Sequence, residues 1–255
     1  MRARWLLVVA ALAWLPAIAV GQEQRDDANL FRWDGQTWTR AEGYGMRVAV
    51  GSDGQPWVIN SRHEIWRGAS NGSFDKLPGE ALDIGVGADG SAWIIGTDNG
   101  IYRWTNNDWT RVPGSGVAIT VDQSGAPWVV NSDNQIYRWV NNQFVTFERG
   151  RARDIAAGPS GVWIIGTDNR VYRLQGNDWQ VTDGSGERIS AGPAGTAWVV
   201  NQGGQIYKWE NGAFRQMPGS AVDIGVGPNG QAWIAGRRGS GNNGNRGFGP
   251  RRRQP

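Results

Sequence analysis

The chain of 255 residues has no cysteine and only one histidine, His63. Without cysteine there can be no disulfide, no thiolate metal site and no cysteine nucleophile. One histidine cannot form a zinc-binding histidine cluster or repeat a Ser-His-Asp arrangement. We interpret His63 as a solvated turn residue. These absences predict no metal, no cofactor and no catalytic residue.

Lysine and glutamate are also scarce, whereas glycine (39 residues) and tryptophan (16 residues) are abundant. Aromatic residues favour strands, and glycine favours the tight turns between them. Hydrophobic residues make up 39% of the chain, which is enough for a real core. The composition predicts an all-β protein of many short strands.

Residues 1–21 have the pattern of a secretory signal peptide. Arg2 and Arg4 precede a short apolar run that Pro16 interrupts, and small residues follow it. This run is too short for a comfortable membrane span, although an uncleaved anchor is the alternative. We expect cleavage between residues 19 and 21 and a secreted or periplasmic protein.

The C-terminal end is strongly basic and contains no acidic residue after residue 236. Its six arginines are Arg237, Arg238, Arg246, Arg251, Arg252 and Arg253. These six positive charges make the whole chain basic, whereas residues 30–236 carry a net charge of −3. We expect a disordered Gly/Arg-rich tail over 241–255 that contacts anionic membrane surfaces or lipopolysaccharide. A passive, solvated tail is the alternative, and an exported protein is not expected to bind nucleic acid.

After a short linker over 22–29, the chain repeats itself six times over 30–240, with a period of 35 or 36 residues. Such a period indicates a propeller or solenoid. Each copy reads as four strands, of which one is rich in glycine and alanine and the others carry aromatic residues. Small residues suit the crowded innermost strand of a blade, so the pattern predicts a six-bladed β-propeller of four-stranded blades.

The phase of the repeat predicts how the ring closes. Residues 30–41 supply two outer strands, and residues 221–236 supply two inner strands. The N- and C-terminal strands would then share one blade, which removes an open sheet edge. A linear solenoid is the alternative, but no capping repeat is visible.

Three recurring features carry a resemblance to a known family: Trp-x-Val-Asn, the Ile-Tyr-Arg-Trp strand, and a Pro-Gly link before Val-x-Ile-x-Val-Gly. Residues 30–240 resemble tectonin β-propeller repeats. The resemblance implies a propeller fold and a family that includes lectins for lipopolysaccharide and other surface sugars, as well as intracellular adaptor domains. Fold alone does not settle which of these functions applies.

The repeats alternate in type. Gly-type repeats end their second strand with Gly96, Gly166 and Gly236, whereas Asn-type repeats have Asn60, Asn131 and Asn201 there. The inner strand carries Asp83, Asp154 and Asp223 in Gly-type repeats, against Arg47, Ala118 and Arg188 in Asn-type repeats. The three aspartates are equivalent, whereas a glycosidase acid and nucleophile must differ, so we do not expect catalysis.

One basic position is uniform instead, and we expect it to be structural; an anion-binding ring is the alternative. It holds Arg32, Arg67, Arg103, Arg138, Arg173 and Lys208. We expect these side chains to stack on aromatic rings and to pair with the turn carboxylates of Asp98, Asp133 and Asp168.

Residues of the turns are the candidate carbohydrate ligands, because amide and carboxylate groups fix sugar hydroxyls. The set is Asn60, Asn131, Asn201, Asp98, Asp133 and Asp168. The asparagines have an alternative role as turn caps. We therefore expect a lectin-like propeller that binds cell-surface glycan such as lipopolysaccharide. The alternative is a non-enzymatic scaffold that binds proteins of the cell envelope.

Overall fold

The computed structural model describes residues 27–159 and 161–237. The predicted signal peptide, the linker up to residue 26 and the arginines from Arg238 onward lie outside these residues. Within the described residues every regular element is a strand, and no helix suited to crossing a membrane is found among them. The predicted all-β class is confirmed.

The 22 strands are numbered in chain order. They are β1 (Ala28–Trp33), β2 (Trp38–Gly45), β3 (Arg47–Val50), β4 (Pro56–Ile59), β5 (Glu64–Gly68), β6 (Phe74–Val86), β7 (Ala92–Gly96), β8 (Gly100–Thr105), β9 (Asp108–Ser115), β10 (Ala118–Val121), β11 (Pro127–Val130), β12 (Ile136–Val140), β13 (Gln143–Phe147), β14 (Ala152–Gly158), β15 (Gly161–Gly166), β16 (Arg170–Gln175), β17 (Asp178–Ser185), β18 (Arg188–Ala191), β19 (Ala197–Val200), β20 (Gln205–Glu210), β21 (Ala213–Val226) and β22 (Ala232–Gly236).

All strand pairs are antiparallel, and sequence neighbours lie side by side. The strands form four sheets: β3 to β9, β10 to β13, β14 to β17, and β18 to β22 continued by β1 and β2. The N-terminal β1 lies between the C-terminal β22 and β2, and Phe31 is opposite Ile234. The two ends of the described chain therefore meet in one sheet.

Two strands are longer than the repeat predicts. A glycine-containing link was expected between the fourth strand of one repeat and the inner strand of the next, but β6 and β21 continue through it. The first part of β6 pairs with β5 and its second part pairs with β7. Gly79 and Gly219 have φ values of 81° and 93°, so the chain changes direction there while pairing continues on both sides.

The inner strands pack against one another in chain order. They are β3, the second half of β6, β10, β14, β18 and the second half of β21, and β21 in turn contacts β3. Apolar clusters fill the space between neighbouring sheets, and each contains a second-strand tryptophan such as Trp93 or Trp163. Burying these large rings between sheets is the main source of stability for such a fold.

Five of the six uniform basic side chains stack on an aromatic ring as expected, but the expected pairing with the Asp98 carboxylate is wrong. Arg67 lies 5.1 Å above the Trp57 ring and pairs with Asp53 at 3.5 Å, whereas Asp98 pairs with Arg111 at 3.2 Å. The further stacked pairs are Arg103–Trp93, Arg138–Phe147, Arg173–Trp163 and Lys208–Trp198. Within a repeat, the basic side chain lies near the hairpin that precedes the second strand. The turn that contains Asp98 follows the second strand, at its opposite end.

Candidate functional site

The asparagines of the Asn-type repeats are used within their own turns. The Asn131 Oδ1 atom accepts the backbone N–H groups of Asp133 (3.0 Å) and Gln135 (2.8 Å), and its Nδ2 donates to the Gln135 side chain (3.0 Å). Asn60 makes the same pattern with Arg62 and Glu64. Asn201 likewise accepts from the Gln205 backbone and donates to its side chain. These contacts are those of a turn cap, and they leave little of the amide for a ligand.

The turns of the Gly-type repeats are built differently, around a carboxylate and a tyrosine. The Asp98 Oδ1 atom accepts the Gly100 N–H at 2.8 Å, and the Tyr102 hydroxyl donates to Oδ2 at 2.9 Å. A Cβ atom at Gly96 would lie 2.8 Å from Asp98 Oδ1 and 2.8 Å from the Tyr102 ring. Only glycine at this position leaves room for the Asp–Tyr pair.

The same pair recurs two repeats further along. The Tyr172 hydroxyl donates to Asp168 Oδ2 at 2.7 Å, and Asp168 Oδ1 accepts the Arg170 N–H at 3.1 Å. Asp133, at the corresponding place of an Asn-type repeat, lacks this partner because the Tyr137 hydroxyl donates to Gln135 instead. The structure thus separates Asp98 and Asp168 from the other candidate turn residues.

Both paired carboxylates are ionised at neutral pH. The Gly100 N–H and the Tyr102 hydroxyl lower the pKa of Asp98, and the Tyr172 hydroxyl lowers the pKa of Asp168. In return, the negative carboxylates raise the pKa of both tyrosines. Each pair therefore presents a fixed, exposed carboxylate whose remaining lone pairs accept hydrogen bonds.

Each Asp–Tyr pair borders a groove between two neighbouring repeats. The first groove, of about 810 Å³, is lined by Asp98, Tyr102 and Trp109, and by residues 76–80 of β6. The second groove, of about 530 Å³, is lined by Asp168, Tyr172 and Trp179, and by the segment that contains Glu148 and Arg151. Both tryptophans are half-buried, so part of each ring is accessible. A groove with one aromatic wall and a few polar groups is a common binding-site design.

The tryptophan of each groove is fixed by the neighbouring link. The Trp109 Nε1 donates to the Pro78 carbonyl at 2.9 Å, and the Trp179 Nε1 donates to the Arg149 carbonyl at 2.9 Å. A Cβ atom at Gly79 would be 3.2 Å from the Trp109 ring. The glycine of the link therefore allows the ring to pack against the backbone, and the indole keeps one orientation.

The third Gly-type repeat departs from this design. Phe31 replaces the tyrosine, Arg237 follows Gly236 where Thr97 follows Gly96, and Trp38 is only 5% exposed. The Arg237 guanidinium donates to the carbonyls of Gly203 and Gln202, both at 3.2 Å. Arg237 therefore bridges the two walls of the third groove, and the remaining tail arginines lie outside the described residues.

A cluster of charged groups lies on the inner strands. The carboxylates accept backbone N–H groups from the next inner strand: Asp83 from Ile119 (2.7 Å), Asp154 from Ile189 (2.9 Å) and Asp223 from Val48 (2.8 Å). The enclosed cavity measures only about 70 Å³. This space is too small for a saccharide, and the carboxylates serve contacts between repeats.

Burial controls the charge state of these carboxylates. It raises the pKa of Asp83 to about 7, and the nearby charge of Asp154 adds to the shift, while Arg188 and Arg47 oppose it. Burial also raises the pKa of Asp154 and Asp223. Asp83 keeps some exposure to the narrow cavity but is surrounded by protein on all sides, which explains why desolvation dominates.

These features define a repeat-built protein with antiparallel four-stranded units and grooves between them. Solved β-propellers share this architecture. The WD40 β-propeller domain of Doa1 superimposes with a TM-score of 0.59 at 15% identity, over 82% of this chain and 83% of that chain. Virginiamycin B lyase from Staphylococcus aureus gives 0.54 at 17% identity, over 74% and 76%. At such identities the likeness shows the β-propeller fold alone.

The sequence narrows the class to one family. The Tectonin domain profile matches residues 80–152 and 151–240, which is more than half of the chain. The chain belongs to the tectonin family, as its repeats predicted. Tectonin-2 of Physarum polycephalum is 36% identical over 59 residues (21% of this chain, 17% of that protein), and Tectonin-1 is 36% identical over 39 residues (15% and 18%). The matched parts span less than a fifth of these relatives.

The candidate residues predicted from the sequence include Asp98 and Asp168 but no aromatic residue. The structure places Tyr102 and Trp109 beside the first of these carboxylates, and Tyr172 and Trp179 beside the second. A signal was present, because the tyrosine follows the aspartate by four residues in two Gly-type repeats and is replaced by Phe31 in the third. The spacing could not reveal that the hydroxyl turns back to the carboxylate.

Proposed function

We propose that the chain forms a closed propeller of six blades. Dividing β6 and β21 at Gly79 and Gly219 groups the strands into units of four. Closure is supported by the pairing of β1 with β22 and by the hydrogen bond from the Val48 N–H to Asp223. The pairing of β1 with β22 leaves no unpaired strand edge where the ends of the described chain meet, and a closed ring holds its grooves at fixed relative positions.

We propose that the protein is a lectin-like, non-catalytic propeller that binds a cell-surface glycan such as lipopolysaccharide. The main support for this proposal is the repeated groove in which an accessible tryptophan ring lies beside an ionised Asp–Tyr pair. The apolar face of a pyranose packs on an indole ring, and its hydroxyl groups donate to a carboxylate. Membership of the tectonin family supports this function.

The location proposed is outside the cytoplasm, after cleavage of residues 1–21. The basic residues from Arg238 onward would add a salt-sensitive contact to anionic lipid or lipopolysaccharide. Removing residues 238–255 should then weaken binding to anionic vesicles at low salt, with sugar binding unchanged. Equal vesicle binding by both proteins would leave the tail without this role, and N-terminal sequencing of the exported chain would test the cleavage.

A glycan array probed with the purified chain tests the proposed function. We expect binding to a restricted set of glycans, competed by the free sugar and lost when Trp109 and Trp179 are both changed to alanine. Melting temperatures of the variant and the parent should be compared, because both rings also pack. No binding to any glycan would refute the lectin function and would favour the protein scaffold, which cross-linking to a stoichiometric envelope protein would reveal.

A further inference from the structure

We infer that the protein has two equivalent saccharide sites, the first and second grooves, and that each takes a neutral, hydroxyl-rich sugar. The inference rests on the proposed lectin function and adds the number of sites and the chemical class of the ligand. The two grooves lie two repeats apart, so a glycan of repeating units is the ligand that would engage both at once.

The number of sites follows from the Asp–Tyr pair and from its distribution among the three Gly-type repeats. A further groove of about 420 Å³ beside Asn131 and Trp139 has no such pair, because the Tyr137 hydroxyl donates to Gln135.

Two of the Gly-type repeats combine an Asp–Tyr pair with an accessible tryptophan, at Trp109 and Trp179. In the third, Trp38 is buried against Trp33 and Trp198, with centroid distances of 5.0 and 5.9 Å. Arg237 also crosses from one wall to the other. The carboxylate at the corresponding position of the third repeat, Asp27, accepts the Ser61 N–H at 2.6 Å, and Phe31 has no hydroxyl to donate to it. The third Gly-type repeat therefore has neither the accessible ring nor the Asp–Tyr pair.

The chemical class of the ligand follows from the charged side chains that line each groove. Beside the first groove Arg111 pairs with Asp98. Within the lining of that groove two cations, Arg62 and Lys76, lie near Glu64 and Glu80. Both of these cations are held by Glu64, at 2.9 and 2.7 Å. A sugar carboxylate or phosphate would find no uncommitted cation there.

The lining of the second groove contains one exposed cation, Arg151, and two acids, Glu148 and Asp168. The fixed carboxylate of each groove accepts hydrogen bonds and donates none, so it selects hydroxyl donors and repels anions. Neutral hexoses satisfy this requirement, whereas uronic and sialic acids do not.

The two sites also differ in one informative way. Arg111 pairs with Asp98 and lies 5.8 Å from the Tyr102 ring centroid, whereas the corresponding residue of the second groove is Val181, which is 48% exposed. Asp168 lacks this direct ion pair, although the charge of Arg170, which stands where Gly100 does, also acts on it. Because Arg111 contacts the Asp98 carboxylate directly, we expect the second groove to bind the same sugar more tightly. Exchanging these residues, Arg111→Val and Val181→Arg, should reverse the order.

Site-resolved titration tests the inference. Methyl glycosides of glucose, galactose, mannose and N-acetylglucosamine, with methyl glucuronide as the anionic counterpart, are added to 15N-labelled full chain while the tryptophan indole N–H signals are followed. We expect a neutral glycoside to shift the Trp109 and Trp179 signals and leave Trp38 unchanged. Asp98→Asn and Asp168→Asn should each weaken only their own groove about tenfold or more, since a hydrogen bond to a charged group is lost.

Asp133→Asn is the matched control, because it makes the same change at the corresponding turn position away from both grooves. Its titration should match that of the parent chain. Shifts at Trp38, at one groove only, or in response to methyl glucuronide alone would overturn the inference while leaving glycan binding intact. If neither these glycosides nor any arrayed glycan binds, the proposed function fails together with it.

Discussion

The two kinds of turn show how the residue at one backbone position decides which side chains fill the turn. Asn131 fills its turn with its own amide, which caps the backbone and occupies Gln135. Gly96 has no side chain, and the space it leaves is taken by Asp98 and Tyr102. Three Gly-type and three Asn-type repeats therefore share a fold but present different chemistry at their outer turns.

The same division appears on the inner strands. Gly-type repeats contact the next repeat through an aspartate, whereas two of the three Asn-type repeats use a hydroxyl, as when Thr120 Oγ1 accepts the Ala157 N–H at 3.0 Å. Each junction thus depends on the type of repeat that precedes it. Variants can test this difference between the repeat types at four places: the closure of the ring, the turn, the charges of the inner strands and a single hydroxyl group.

Removing the outer half of one Gly-type repeat should have the largest effect. Deletion of residues 30–41 takes away most of β1 and the start of β2, so β22 loses its neighbour. We expect the chain to lose cooperative unfolding or to aggregate, because an unpaired edge is exposed. Circular dichroism melting and light scattering check this. A monomer with an unchanged melting temperature would contradict the closure.

Converting one turn type into the other should have the next largest effect. Gly96→Asn places a Cβ atom against Asp98 and Tyr102, so we expect a loss of about 1–3 kcal/mol of unfolding free energy from overpacking. Urea unfolding measures the loss, and the first groove should stop binding sugar. The reverse change, Asn131→Gly, removes a cap and should cost about 1–2 kcal/mol without creating a site. Unaltered stability and binding in Gly96→Asn would show that the glycine is not required.

The inner carboxylates predict an unusual pH dependence. The pKa of Asp83 is raised to about 7 in the folded chain, so the folded state takes up a proton between pH 7 and pH 4 that the unfolded state does not yet bind. Stability contributed by this group therefore rises as the pH falls through 7, by up to about 1.4 kcal/mol per unit. Urea unfolding at pH 8 and pH 5 should show this gain, and Asp83→Asn should reduce it.

A substitution at Ala118 tests in a second way how neighbouring charges affect the pKa of Asp83. Arg47 and Arg188 occupy the corresponding position in the other Asn-type repeats, and both oppose the raised pKa of Asp83. Ala118→Arg should lower that pKa and stabilise the protein more at pH 8 than at pH 5. Identical stability at both pH values for parent, Asp83→Asn and Ala118→Arg would show that Asp83 does not titrate in this range.

The smallest effect is expected from one missing hydroxyl. Ser190 Oγ accepts the Val226 N–H at 2.9 Å, as Thr120 does for Ala157, but Ala49 occupies the third such position. Ala49→Ser should add this bond and stabilise the protein by about 0.5–1.5 kcal/mol. Chemical unfolding should show a higher midpoint with the same slope. A lower midpoint would mean that the β3–β6 junction cannot accept the side chain.

Much of the fold could be predicted from the sequence, because the signal recurs in register. Glycine-rich inner strands, second-strand tryptophans and Asn-Asn turns with positive φ at Asn106 and Asn107 all lie where the repeat placed them. The continuous β6 was missed, since Pro78-Gly79 reads as a break although both sides stay paired.

The site was predictable only in part. The turn positions of Asp98 and Asp168 follow from the repeat, but their distinction from Asp133 depends on which atom receives a tyrosine hydroxyl. The repeat likewise gives no sign that Trp38 is buried while Trp109 and Trp179 are accessible. Such differences arise from packing between sheets, and a pattern within one repeat does not record them.

The most direct test of the account is a crystal structure of the full chain with the neutral sugar bound. The account predicts saccharide density on the Trp109 ring beside Asp98 and on the Trp179 ring beside Asp168, with none at Trp38. Sugar bound instead at the turns of Asn60, Asn131 or Asn201 would contradict it, because those amides would then be ligands and not caps.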